Sequence, residues 1–465
     1  MAQTYDYGGH NISQRAGAGF RPPRCRTEYI VSPMLVNRAA AAILVGAVDT
    51  SIVTGVSRKR SEATAEECVM PKRKQAAIVG IHEYPLRVAP GRSAMQIKIE
   101  SIRRALEDAG LGLQDVDAIY DANEGEGGGG LGLAAYLGIH PSIIDTTTTG
   151  GSSYEFHASH ALRDIAAGRA QVAVLSYGSN AASGRRAIGT GGATGGNSPN
   201  WQNNMEEPYG MTLIAGYAMV AHRHMHQYGT TSADLARISV ATRAHAMRNP
   251  EAVQAMTDLA FEGVREITVE DVIESRILAD PLHLLECCMV SDGGGAVVIA
   301  SKDVAKDTRK KPVWIVGTGE ATKYRENGGD ITTSAAAQSG PPAFGMAGVK
   351  PEDIDVAMIY DSFTITVATI LEDLGFCKKG EVKDYLRDNS LRFDAKRGPA
   401  LNTDGGGLSS NHPGMRGIFL LIEAARQLRG ESTSQRKRAK LAVAHGNGGQ
   451  LGGNHAAATV ILARD

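Results

Sequence analysis

The chain has 465 residues, enough at roughly 150 per domain for about three folding units or for two large related halves. Its 49 Lys and Arg stand against 50 Asp and Glu, so it is near neutral and has no electrostatic drive toward nucleic acid or an acidic membrane. The 55 glycines and 17 prolines fall short of the share of roughly a quarter that marks disorder, so the glycines belong to folded structure. Five scattered cysteines, Cys25, Cys68, Cys287, Cys288 and Cys377, make neither a disulfide framework nor a Cys-x-x-Cys metal signature, which points to a reducing, cytoplasmic compartment.

Residues 1–69 carry Arg15, Arg21, Arg24, Arg26, Arg38, Arg58 and Arg60 with few acids and no clear hydrophobic period. Two readings stay open: a transit peptide, or an extension outside the core ahead of a natural start at Met70, the second being favoured. The longest apolar run there, Ala39 to Val48, has half the length a membrane span needs. From residue 71 onward short apolar runs alternate with helical periods, the mark of layered α/β architecture. Strands are expected at Ala76–Ile81, Ala118–Asp121, Val172–Tyr177, Gly295–Ala300, Val313–Gly317, Val356–Tyr360, Leu441–Ala444 and Ala456–Leu462. Helices are expected at Ser93–Ala109, Tyr154–Ala167, Met211–Tyr228, Thr231–Met247 and Gly417–Leu428.

An internal repeat fixes the organisation. Ala109-Gly110-Leu111 runs through Asp115-Val116-Asp117 to Ile119-Tyr120-Asp121, and Ala347-Gly348-Val349 runs through Asp353-Ile354-Asp355 to Ile359-Tyr360-Asp361. Ile78-Val79-Gly80 likewise matches Ile315-Val316-Gly317. The chain therefore reads as two α/β halves, 71–304 and 312–465, joined by the basic stretch Lys306 to Lys311. An insertion at 179–285, rich in Gly, Asn and Met, is expected to form a loop domain over the site.

The block Asn402-Thr403-Asp404-Gly405-Gly406-Gly407 through Asn411-His412-Pro413-Gly414-Met415-Arg416-Gly417 resembles the Asn-x-x-Gly-Gly and Gly-His-Pro-x-Gly motifs of thiolases. Tyr360-Asp361-Ser362-Phe363, the segment Leu441 to Gly449 with its Ala444-His445-Gly446-Asn447-Gly448-Gly449, and the segment Cys288 to Gly295 with its Ser291-Asp292-Gly293-Gly294 stand where that family keeps its other signatures. The resemblance is to sterol-carrier-protein-type thiolases and their lipid-transfer-protein-like, aldolase relatives. It implies a duplicated, five-layered αβαβα thiolase fold acting on acyl-CoA, with coenzyme A part of the substrate and no permanent cofactor. It further implies a homodimer and, because relatives lacking the nucleophile commonly need one, a small partner with an OB fold and a zinc ribbon.

The departures carry the chemistry. A thiolase begins its buried helix with a cysteine whose thiolate takes the acyl group. Here an ungapped count puts Gly151 at that position, and matching the Gly-Ser pair puts Thr148 there. His445 stands for the second catalytic cysteine and Tyr360 for the oxyanion asparagine, while His412 is retained. The tyrosine resembles that of thiolase-like retro-aldolases of steroid side-chain breakdown. Without a cysteine, Claisen chemistry loses its nucleophile, whereas aldol cleavage of a β-hydroxyacyl-CoA needs only a base and donors to hold an enolate. Tyr360 is expected to be that base, its pKa lowered by a neighbour, with His412 and His445 as donors. Ser152, Ser153, Asn411, Gly448 and Gly449 are expected to bind substrate. A thiolase-type acyltransferase and a non-catalytic acyl-CoA or lipid-binding subunit are the alternatives. No metal site is expected: on a helix His222 and His226 share a face but His224 points away, and His157 and His160 suit packing against the second half.

Overall fold

The computed structural model describes residues 74–122, 129–185, 212–261, 263–324 and 329–465, so the extension at 1–69 and the Gly- and Asn-rich part of the insertion lie outside the described residues. Among the described residues there are twelve strands: β1 (Ala76–Glu83), β2 (Ala118–Asp121), β3 (Ile143–Asp145), β4 (Val172–Ser179), β5 (Ile277–Ala279), β6 (Leu282–His283), β7 (Gly293–Ser301), β8 (Val313–Lys323), β9 (Val356–Ile359), β10 (Ala400–Leu401), β11 (Leu441–Gly449) and β12 (His455–Ala463). Ten join in the order β10-β9-β11-β12-β8-β1-β7-β4-β2-β3, and β5 pairs only with β6.

The junction between β1 and β8 is short, Ala77 opposite Trp314 and Ile78 opposite Val313. Read outward from it, the two sides are β1-β7-β4-β2-β3 and β8-β12-β11-β9-β10. On each side the first two pairings are antiparallel and the last two parallel. The repeat in sequence is thus a repeat in topology.

Because the sheets are covered on both faces, their strands are continuous apolar runs rather than alternating ones. Ala76 and Ile78 pack in the cluster holding the buried helices Ser153–Ala166 and Gly417–Arg429, whereas Ala77 and Val79 pack in the cluster of the outer helix Ala94–Ala109. The second half places the helix Ala336–Ala347 in the corresponding outer position against β8 and β12. The two central helices touch strands of both halves, giving the succession helix, sheet, helix, sheet, helix.

Close packing of each outer helix rests on strand glycines at matching places in the two halves. A Cβ on Gly80 would lie 2.1 Å from the Ala105 carbonyl, and one on Gly317 would lie 2.1 Å from the Ala343 carbonyl. Between β4 and β7 the described chain forms helices Leu213–Tyr228, Ser232–Ala246, Pro250–Asp258 and Val269–Glu274 and the β5-β6 hairpin. Thr212, Thr231 and Thr268 cap three of these helices by accepting backbone N–H bonds. The described part of the insertion is therefore built of capped helices.

Candidate active site

Tyr360 leaves the C-terminal end of β9, and the chain fixes that end with a side chain in place of a strand. The Asn402 amide donates to the Ile359 carbonyl and accepts from the Ile359 N–H, both at 2.8 Å. Asp361 follows, buried, with Gly407 N–H donating to its Oδ1 at 2.8 Å and Arg416 Nε 2.9 Å from the same oxygen. Arg416 also grips Asp404 through two contacts of 2.8 and 2.7 Å. Burial pushes the Asp361 carboxyl up to about 6, against the pull of Arg416. A Cβ at Gly406 would sit 2.1 Å from Asp361 Oδ2, so the glycine run lets this carboxylate reach the loop backbone.

The loop that this network anchors carries His412. Its backbone N–H donates to Ser291 Oγ at 3.0 Å, while neither ring nitrogen has a partner among the described residues. Burial, aided by Arg416, pushes the ring down to about 3, so it is neutral near pH 7 and offers one lone pair and one N–H. The ring stands edge-on to Tyr360, with centroids 5.5 Å apart and planes at 88°. The Tyr360 hydroxyl donates to the Gly414 carbonyl at 3.3 Å. Burial holds this phenol well above 10, which corrects the expectation of a lowered pKa. Tyr360 is a neutral donor in this site.

Gly151 lies under the same tyrosine. A Cβ there would be 2.2 Å from Tyr360 Cε2 and 2.5 Å from the Asn447 carbonyl. The place where thiolases put a nucleophile is filled by the ring of another residue, so any side chain larger than hydrogen would collide with it. Thr148, the alternative alignment, has its hydroxyl spent on the Ala122 and Thr146 carbonyls at 2.5 and 3.1 Å.

His445 is not part of this group. Its neighbours Ala442 and Ala444 face the central helices, Val443 faces the outer layer, and the alternation turns His445 outward. Its Nδ1 meets Thr459 Oγ1 at 2.8 Å, which in turn lies 2.9 Å from Ser339 Oγ on the outer helix. The expectation that Tyr360, His412 and His445 surround one carbon fails for the third, because one residue along a strand exchanges faces. The inward position on β11 is Gly446.

The remaining expected residues are held by local contacts. Ser153 Oγ donates to the Gly150 carbonyl at 2.7 Å and accepts from Thr149 N–H at 2.9 Å, and Ser152 Oγ lies 3.1 Å from both the Thr149 carbonyl and its hydroxyl. Asn411 accepts from Ser291 Oγ at 2.9 Å and donates to Glu83 Oε1 at 3.2 Å. Gly448 and Gly449 back onto Gly150, with approaches of 3.2 and 3.1 Å to the position of a Cβ there.

Several neighbours escaped the motif reading. Tyr177, on β4 of the first half, donates to the Pro413 carbonyl at 2.8 Å and accepts from Met415 N–H at 2.9 Å, which pins the His412 loop from across the molecule. Tyr217 comes from the insertion, accepts from Asn447 Nδ2 at 3.0 Å and donates to the Gly449 carbonyl at 3.1 Å. Cys288 interacts electrostatically with Tyr360 and Tyr217, and burial pushes its thiol up to about 12, leaving no thiolate near neutrality. Tyr177 and Tyr217 sit in no motif, and Cys288 opens one without being marked as a site residue.

The histidine groups outside the site are paired within the protein. His160 bridges Asp145 at 2.6 Å to Glu320 of the second half at 3.5 Å, and His157 contacts the Thr147 carbonyl at 2.9 Å. His222 pairs with Asp280 at 2.8 Å, and His224 bonds Thr230 and Glu372, both at 3.0 Å.

Comparison with known proteins agrees with this geometry. Residues 317–464 match the thiolase C-terminal domain-like family. The chain is 34% identical over 378 residues to the 17-hydroxy-3-oxo-4-pregnene-20-carboxyl-CoA lyase of Mycobacterium tuberculosis, covering 77% of this chain and 93% of that protein. A steroid side-chain-cleaving aldolase of Thermomonospora curvata is 34% identical over 377 residues, 77% of this chain and 92% of the other. The solved Ltp2-ChsH2(DUF35) aldolase superposes with a TM-score of 0.73 at 30% identity, over 84% of this chain and 98% of that one. The duplicated five-layered fold, the Asn402 to Gly417 block and these relatives agree: the chain is an enzyme of the thiolase superfamily and belongs with its steroid side-chain-cleaving aldolases.

Proposed function

We propose that this chain cleaves a β-hydroxyacyl-CoA by a retro-aldol reaction, releasing a ketone or aldehyde and a shortened acyl-CoA. The observation that carries the reading is the occupied space above Gly151. With Tyr360 Cε2 2.2 Å from where a Cβ would be, the position cannot bear a nucleophile, and acyl-enzyme chemistry has no residue to start from. A retro-aldol step needs none. His412, neutral and with free ring nitrogens, takes the β-hydroxyl proton; the Tyr360 hydroxyl leaves the Gly414 carbonyl and donates to the thioester oxygen as the enolate forms.

The likeness to steroid side-chain-cleaving enzymes supports a bulky, branched β-carbinol substrate, with coenzyme A carried in as part of it. The solved relative in complex with a DUF35 protein supports a partner protein for this chain; the thiolase resemblance implies that this partner carries an OB fold and a zinc ribbon and that the chain forms a homodimer. The test is product analysis by mass after incubation with steroid-type and short β-hydroxyacyl-CoAs, with and without a co-expressed partner of this kind. A carbonyl product with one equivalent of shortened acyl-CoA in the absence of free CoA is expected. Turnover of β-ketoacyl-CoA that depends strictly on free CoA would establish thiolysis instead.

A further inference from the structure

Glu155 stands in the first turn of the central helix, four residues after Gly151, and is fully buried. Both of its carboxyl oxygens lack a hydrogen-bond partner among the described residues. The room it occupies is made by absent side chains. A Cβ at Gly446 would lie 2.1 Å from Glu155 Oε2, and one at Gly417, the first residue of the other central helix, would lie 2.5 Å from it. Gly417 N–H donates to the Gly151 carbonyl at 3.2 Å, so this pocket is the next layer beneath Tyr360.

An ionised carboxylate without partners in such a place is strongly disfavoured. Burial pushes its pKa well above the usual range, against a weaker pull from a backbone N–H and from Arg416. The side chain is thus a neutral acid with one O–H and no acceptor for it, the arrangement by which an apolar site keeps a carboxylic acid able to donate near neutrality.

Resting on the retro-aldol reading, we propose that Glu155 is the acid that protonates the α-carbon of the enolate. The step balances. His412 takes the β-hydroxyl proton, the electron pair of the carbon–carbon bond passes to the α-carbon and thioester oxygen, and the carbonyl product leaves. The enolate carbon then takes the Glu155 proton, and the proton held by His412 returns to the Glu155 carboxylate. The net reaction needs no other reactant.

By microscopic reversibility the same acid exchanges the α-protons of a product-like thioester. The experiment follows deuterium entry into propionyl-CoA in D2O by mass, together with cleavage of β-hydroxyacyl-CoA, for the wild type and for Glu155→Gln, which keeps the shape and loses the acid. Exchange is expected to fall at least about 100-fold with propionyl-CoA binding unchanged. Should Glu155→Gln not fold, Glu155→Asp withdraws the acid by one methylene and is expected to slow exchange at least about tenfold. A folded variant that exchanges and cleaves as fast as the wild type overturns the assignment alone. A wild type that neither exchanges nor cleaves overturns the aldolase reading and this role with it.

Discussion

The two halves share a topology strand for strand and differ in what they bring to the site. The first half supplies space and support. Its central helix opens on Gly151, Ser152 and Ser153, whose hydroxyls are spent on their own turn, and its β4 sends Tyr177 across to hold a loop of the other half. On the proposed reading the second half supplies the reactive groups, Tyr360 at the end of β9 and His412 in the loop ahead of its central helix. Duplication fixed the frame, and the chemistry came from changing the strand ends of one copy. The helix start at which the resemblance expects a nucleophile holds Gly151 here, under the ring of Tyr360.

Histidines answer to pH in both halves, but only the first half mixes the two signs, since burial pushes its His157 and His245 down to about 4 while its His160 is raised. In the second half His412, His445 and His455 are buried and pushed down to about 3. Unfolded, each titrates near 6.5, so as pH falls below 6.5 the unfolded chain binds protons that the fold refuses; stability is full above 6.5 and is lost toward about 3. Three such groups give a slope of ~4 kcal/mol per pH unit. In the first half His160, raised to about 9 by Asp145 and Glu320 against its desolvation, has the opposite sign: its contribution is present below 6.5 and lost as pH rises through about 9. Urea unfolding between pH 4 and 9 should show a steep acid loss, and in His160→Gln a shallower decline on the alkaline side.

Removing the second half's donor comes next. Tyr360→Phe should lower turnover about 100-fold with little change in melting temperature, since the hydroxyl's contact with the Gly414 carbonyl is a long one of 3.3 Å. Steady-state kinetics and calorimetry check both parts. Filling the first half's space has a mixed effect: Gly151→Ala pushes a methyl into the Tyr360 ring, at a cost of roughly 1–3 kcal/mol. A drop in activity of about tenfold or more should accompany it, because the phenol is displaced from its position. The smallest effect is expected at His445, on the far face of β11. His445→Gln should leave turnover within about threefold and act on stability instead, as a buried polar group that loses its fit to Thr459.

How much of this was legible in the sequence depends on the range of the signal. The halves, their strands and the central helices announced themselves as apolar runs and a repeat, because burial on both faces demands continuous hydrophobic segments. β3 and β10 did not, being three and two residues long. Within the site, Gly151, Tyr360 and His412 stand together as the motif spacing suggested. His445 was misplaced because a motif gives position along a strand and not the face, and one step decides the face. The ionisation of Tyr360 was misjudged for a related reason: burial is a property of what packs around a residue, and nothing local in Tyr360-Asp361-Ser362 states it. Glu155 left one trace in sequence, a charged residue among Tyr154, Phe156 and Ala158 on a helix otherwise built for burial.

The central claim is that Tyr360 over Gly151 replaces covalent chemistry with direct carbon–carbon cleavage. Intact-protein mass spectrometry of the enzyme, acid-quenched while turning over a β-hydroxyacyl-CoA, measures this without relying on any variant. The account predicts that the protein keeps its unmodified mass at every time point while shortened acyl-CoA accumulates. A transient species heavier by the mass of the acyl group, appearing and decaying at the rate of turnover, would contradict it.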